Sequence, residues 1–307
     1  MANHSGPLIK QGWIRALLFI IGLFTTMFFL EPLSRLLLAQ LAGGAEPSIN
    51  DPANFLVMYA ITGIAMLLIT FGYRRIVDRA TFVSLGFAWK GFTNEAWLGF
   101  FTGPAILGIG SIILVLAGYI GYSAVEWSAP SFVIAIAAMI LVAFVEETIF
   151  RGYVLNNLMS SCNKWVALAI SALLFGLVHG VNPGVSLLAV TNIFIAGVFL
   201  GINYIYTRNL WFSIFFHFSW NFFQGPVFGY QVSGLQLPAI FQQSQTGPEW
   251  FTGGSFGFEG SLLCALLLIV FLLLYNRLFA KQYGAIDPVA LPAANKKAPA
   301  GAGAAIV

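Results

Sequence analysis

The sequence predicts an all-α polytopic membrane protein, a bundle of about eight transmembrane helices with both termini in the cytoplasm. Three observations carry that reading. Of 307 residues, 59% are hydrophobic and 8% are charged, whereas an ordinary soluble domain is about 25% charged. Mean hydropathy is +0.87. Apolar runs long enough to cross a bilayer recur from residue 13 to residue 280. The same composition excludes other classes. A net charge of +3 without a Lys/Arg cluster offers no surface to a nucleic-acid backbone. The 2 cysteines, Cys162 and Cys264, form neither a disulfide framework nor a Cys-rich metal site, and no role is assigned to either.

A hydrocarbon core about 30 Å thick takes roughly 20 helical residues. The first run, 13–38, follows Lys10 and Arg15 and is interrupted by Glu31-Pro32. It is longer than the apolar region of a secretory signal and has no convincing cleavage site, so it reads as a retained helix. Further spans are expected at 53–73, 96–120, 132–155, 165–179 (short), 185–206, 210–228 and 261–280. The amphipathic stretch 82–92, with Trp89 and Lys90 as anchors, suits the membrane interface. The segment 229–260, rich in Gly, Gln and aromatics, reads as a lid or a connection. Residues 1–285 form one transmembrane domain; from 286 the Ala-, Pro- and Gly-rich chain with Lys296-Lys297 reads as a disordered cytoplasmic tail.

Basic residues orient the bundle, because Lys and Arg concentrate in cytoplasmic loops. Lys10, Arg15, Arg74, Arg75, Arg79, Lys90, Arg151, Lys164, Arg208, Arg277, Lys281, Lys296 and Lys297 all fall on one side. The opposite loops, at 42–52, 121–131, 180–184 and 229–260, hold Glu46, Asp51, Glu126, Glu249 and Glu259 and no Lys or Arg. Arg35 alone is out of place. The pattern implies a multi-pass protein, of the plasma membrane if the source is bacterial.

Ionisable residues inside a span cost on the order of 3 kcal/mol each and are functional suspects. Few exist. The fourth span holds Glu146, Glu147 and Arg151; the fifth ends in Phe175-Gly-Leu-Val-His179; the seventh holds His217 and Asn221. Residues four apart share a helix face, so Glu147 and Arg151 can pair while Glu146 points about 100° away and is free to face the interior. His217 and Asn221 likewise share a face. If spans four and five turn near 161–163, Glu146 and His179 each lie about 15 residues, roughly 23 Å, from the turn. With 151–164 projecting beyond the lipid, the heights match in the cytoplasmic half. Taken singly, a histidine or asparagine in a span is ordinarily a helix–helix hydrogen-bonding group. The ion pair reads as structural and Phe175 and Trp220 as packing; it is the coincidence of the set that points to chemistry.

These segments resemble the CPBP family, intramembrane proteases related to the CAAX prenyl endopeptidases and the bacterial Abi proteins. The family's EExxxR, FxxxH and HxxxN motifs correspond to Glu146-Glu147…Arg151, Phe175…His179 and His217…Asn221, within a core of about 130–225; Leu85-Gly86-Phe87 is also similar to the family's approach to that core. The resemblance implies an endopeptidase acting on a membrane-associated or lipidated peptide or protein within the bilayer. By motif position, Glu146 activates water beside His179, His217 and Asn221 complete the site as metal ligands or oxyanion donors, and Glu147 and Arg151 support the geometry. A carboxylate taken out of bulk water becomes a stronger base, and imidazole and amide groups stabilise a tetrahedral oxyanion.

Two alternatives stay open about metal. Glu146, His179 and His217 are a ligand set that zinc accepts, and a metal-free glutamate mechanism uses the same residues; the spans lack HExxH. Two other functions also compete. Buried acids and histidines build proton relays in transporters, although paired broken helices are not evident. A non-catalytic membrane scaffold that binds partner proteins would equally retain the fold.

Overall fold

The computed structural model describes residues 6–284 except 42, 46–47 and 126–127. The expected tail from 286, His4, Glu46 and Glu126 therefore lie outside the described residues. Eight long helices are arranged as α1 (Gly12–Leu41), α2 (Pro52–Ile76), α3 (Thr93–Leu116), α4 (Ala129–Leu158), α5 (Lys164–Val181), α6 (Leu187–Thr207), α7 (Trp211–Phe222) and α8 (Leu262–Tyr283). Among the described residues, seven are long and apolar enough to cross a membrane. The remaining one, α7, matches the seventh expected span, 210–228; it is shorter and continues as a π turn, Phe223–Val227. It lies in the middle of the bundle, with Phe212, Ile214, Phe216 and Trp220 buried.

Local chemistry fixes the helix ends. Asp51 accepts from the Asn54 N–H at the start of α2, with Pro52 in its first turn, where a missing N–H is harmless. Asn163, Ser186 and Ser261 cap α5, α6 and α8 in the same way. Proline within α1 does not break it: the helix runs through Glu31-Pro32 without interruption. Arg35, the exception among the basic residues, pairs with Glu31 one turn earlier.

Small residues let the helices meet where lipid gives no hydrophobic drive for association. A Cβ on Gly99 would collide with the carbonyl of Phe212, and one on Gly103 with Ser219, so α3 and α7 touch along their backbones. Gly197 brings α6 against Ala172 of α5. On the outside, large apolar side chains such as Leu68, Phe101, Ile112, Leu116 and Leu273 stay exposed, as a lipid-facing belt requires.

One expectation needs correction. Residues 151–158 do not project from the body of the protein. From Thr148 to Leu155 α4 widens into a π turn, and Arg151, Tyr153, Val154, Leu155 and Asn157 are all buried. Most of their side-chain donors find acceptors inside the protein, Arg151 on Glu147 and Gly197, Tyr153 on Asp78 and the Asn157 amide nitrogen on Asp78. Asp78 accepts from Arg15 and Arg74 at 2.8 Å each and from Asn157 at 3.3 Å, plugging the basic end of the bundle. The opposite segment, expected as a lid or a connection, carries a strand. Strands β1 (Ile120–Val125) and β2 (Phe241–Gln245) pair antiparallel, Ile120 opposite Gln245, with a bulge near Tyr122.

Candidate active site

Three helices, α4, α5 and α7, bring the motif residues together. Glu146 and Glu147 end the regular part of α4, at the mouth of the π turn, a distortion that recurs at functional sites. The 100° between them separates their environments. Glu147 is fully buried; its Oε1 accepts from Arg151 Nη1 at 2.9 Å and from His217 Nδ1 at 2.8 Å. The expected pair therefore exists and gains a third member. Arg151 also donates to the Gly197 carbonyl at 3.0 Å and lies 4.3 Å over the Phe175 ring.

Phe175 is more than packing. Its ring supports Arg151, and its carbonyl accepts the His179 Nδ1–H at 2.8 Å. The spacing of the FxxxH motif thus couples one helix turn to two tasks. With Nδ1 of His179 bound to Phe175 and Nδ1 of His217 bound to Glu147, both imidazoles turn Nε2 inward. Glu146 Oε2 sits 3.9 Å from each Nε2 and is buried without a hydrogen-bond partner. Its other oxygen accepts from the Tyr59 hydroxyl of α2 at 3.2 Å. Tyr59 was not singled out in the sequence. Asn221, one turn beyond His217, reaches the same space and makes no side-chain hydrogen bond among the described residues.

The space is a cavity of about 1060 Å³, walled mainly by apolar side chains such as Leu23, Phe55, Met139 and Leu200. It occupies the loop-rich half of the bundle, because α1 contributes the half containing Met27 to Pro32 and α2 contributes Phe55 and Tyr59. Matching heights were correctly expected for Glu146 and His179, but the cavity extends away from the basic end, whose interior is filled by the π turn. The segment after β-free Phe228 roofs it with Val232, Ser233, Leu235 and Leu237. Glu259 clamps that roof, accepting from Trp220 Nε1 at 2.9 Å and from the backbone and hydroxyl of Ser233 at 3.0 and 2.8 Å.

A bound metal requires closer ligands. Tetrahedral zinc at about 2.0–2.1 Å holds its ligand atoms about 3.4 Å apart, whereas each Nε2 stands 3.9 Å from Glu146 Oε2. No group of three His, Cys, Asp or Glu among the described residues is placed to hold an ion. As positioned, Glu146 Oε2 and each of the two Nε2 atoms stand wider apart than the ligand atoms of tetrahedral zinc.

Comparison with curated proteins and with solved structures gave no match. A family model did match. Residues 128–223, roughly a third of the chain and inclusive of all three motifs, correspond to the family described as type II CAAX prenyl endopeptidase Rce1-like. The chain is a multi-pass membrane protein whose residues 128–223 are similar to the Rce1-like family.

Proposed function

We propose that the chain hydrolyses a peptide bond of a membrane-associated or lipidated protein, with Glu146 activating the attacking water. One observation carries this reading: a buried, unpartnered carboxylate oxygen faces two inward Nε2 atoms at 3.9 Å in a mainly apolar cavity. A water molecule fits between such atoms at ordinary hydrogen-bond lengths, and the apolar wall removes competing solvent.

The steps follow from the donors and acceptors. Water hydrogen-bonds to Glu146 Oε2 and His179 Nε2. As its oxygen adds to the carbonyl carbon, its proton passes to Glu146. His217, protonated on both nitrogens, keeps Nδ1–H on Glu147 and offers Nε2–H to the oxyanion, and the Asn221 amide offers a second donor. In that state Arg151 and His217 balance Glu146 and Glu147, so the buried set carries no net charge, as a low dielectric favours. Collapse of the intermediate breaks the C–N bond while Glu146 returns its proton to the leaving amine. Tyr59 holds Glu146 in register. The termini lie in the cytoplasm, on the strength of the basic residues at that end.

The test is purified protein in liposomes with a library of membrane-anchored peptides, wild type against Glu146→Gln and His179→Ala. Fragments from wild type and none from either folded variant are expected. Identical fragments from all three would overturn the assignment, and ion or solute flux lost in Glu146→Gln without any cleavage would favour a transporter.

A further inference from the structure

The reaction cavity is closed at two ends and open at its side. Toward the basic end the π turn fills the interior. At the opposite end the roof is sealed to the turn after α5: a Cβ on Gly234 would collide with the Pro183 carbonyl, and one on Gly184 with the Ser255 hydroxyl. Between those ends, Phe28 and Phe29 of α1 and Val181 of α5 line the cavity and yet are 75%, 69% and 88% exposed. Side chains that do both mark a mouth. α1 packs on α2 and on the end of α4, and has no comparable contact with α5 or α6 among the described residues. Pro32, also at the cavity wall, has no N–H for the Phe28 carbonyl, which eases bending of α1 there.

Counting along the helices sets the depth of that mouth. α1 and α5 start level, because a Cβ on Gly12 would strike the Asn157 carbonyl and the Trp13 N–H donates to Ser161 Oγ at 3.2 Å, just before α5 begins. Phe28 and Val181 then lie about 25 Å along their helices at 1.5 Å per residue, within a hydrocarbon core about 30 Å thick. The mouth therefore faces lipid tails, not water. Glu31 sits one turn further, about 28 Å along α1. It lines the cavity, is half-buried, and pairs with Arg35 one turn beyond, which does not line it. The charged and titratable groups of the cavity wall are Glu31, Glu146 and Glu259 with His179 and His217; no Lys or Arg among the described residues lines it. Glu259 accepts from the neutral donors of Trp220 and Ser233. The wall is acidic.

We propose that a membrane-embedded substrate segment enters the cavity sideways, between α1 and α5, and that Glu31 at the rim of this portal selects a basic residue flanking the scissile bond. That the occupant is a peptide rests on the peptidase reading; the portal and its charge do not. Counted back from Asn157, Glu146 lies about 16 Å from the level at which α1 starts, so Glu31 stands about 12 Å beyond it along the bundle. About three or four extended residues at roughly 3.3 Å each span that gap. The basic residue therefore falls about that many positions from the bond that is cut. At the edge of the hydrocarbon a cation is drawn to Glu31 more strongly than it would be in water. A carboxylate in its place meets acids on the cavity wall and no cation.

The experiment measures binding to Glu146→Gln protein in lipid nanodiscs, which removes turnover. The probe is a fluorescent Leu/Ala peptide of about 20 residues, long enough to span the bilayer, with Lys, Gln or Glu at one position near its end. The Lys probe is expected to bind at least about tenfold more tightly than the Glu probe, with the Gln probe between them. Glu31→Gln should erase that order while leaving the Gln probe within about twofold of its former affinity, and Glu31→Lys should reverse it. Photocrosslinking reads the route. Benzoylphenylalanine replacing Phe28 or Val181 should capture the Lys probe, and replacing Phe101, exposed on α3, should not. Equal affinities for the three probes, or an order that survives Glu31→Gln, overturn the selection by Glu31. Capture at Phe101 equal to that at Phe28, or capture of lipid alone at Phe28, overturns the portal. Wild-type protein that binds the probes in the expected order and cuts none of them counts against the peptidase reading and leaves the portal standing.

Discussion

Replacing Arg151 with methionine keeps much of the side-chain volume and removes the charge. In the native protein Arg151 is 1% exposed and its partner Glu147 is fully buried. The substitution strips Glu147 of a 2.9 Å ion pair and leaves its charge facing only His217, while the Gly197 carbonyl loses its donor. Breaking a buried pair from one side costs about 3–5 kcal/mol, a large share of the roughly 5–15 kcal/mol that holds a domain folded. Glu147→Gln should cost a similar amount, because Arg151 is then the buried unpaired charge. The double variant removes both charges, so its loss should fall short of the sum by about 3 kcal/mol. Denaturant unfolding in mixed micelles, followed by tryptophan fluorescence, measures all four proteins. A coupling below about 0.5 kcal/mol would refute the reasoning that this pair anchors the site.

Three more outcomes follow from the same geometry. Tyr59→Phe removes a hydroxyl donor to a charged acceptor, worth about 1.5–3 kcal/mol, so kcat should fall at least about tenfold with KM unchanged; an unaltered kcat would remove Tyr59 from the site. Asn221→Ala should lower kcat by about 10²–10³ as a lost oxyanion donor, yet leave thermal unfolding in detergent nearly unmoved because no protein hydrogen bond is lost; a large drop in stability with little change in kcat would make it a packing residue. Dialysis against a chelator should leave peptide cleavage intact, and activity that disappears and returns with zinc would contradict the metal-free mechanism.

Much of this site could be read from sequence because its elements are local. The i, i+4 spacing of Glu147 and Arg151 is realised as a direct pair, and the opposite facing of Glu146 follows from the same helix. The antiparallel turn between α4 and α5 also brought Glu146 and His179 to one height, as counting residues suggested. What escaped depends on distant contacts. Tyr59 lies 87 residues from Glu146 and carries no local mark among the apolar residues of α2. The π turn is invisible to a 3.6-residue period, which is why 151–158 looked like a polar projection instead of a buried plug. The sheet went unread because five of the six residues of β1 are exposed and β2 is mostly glutamine, so neither shows an alternating apolar face. Glu259 looked like one more loop acid until Trp220 and Ser233 closed on it.

Cleavage of a membrane-anchored peptide in ¹⁸O-labelled water, under single-turnover conditions with wild type and Glu146→Gln side by side, tests the role of Glu146 most directly. Wild type should place one heavy oxygen in the new carboxylate of the peptide and none in the protein, while the variant yields essentially no product. Heavy oxygen recovered on Glu146, or equal product from the two proteins, would contradict a water activated by that carboxylate.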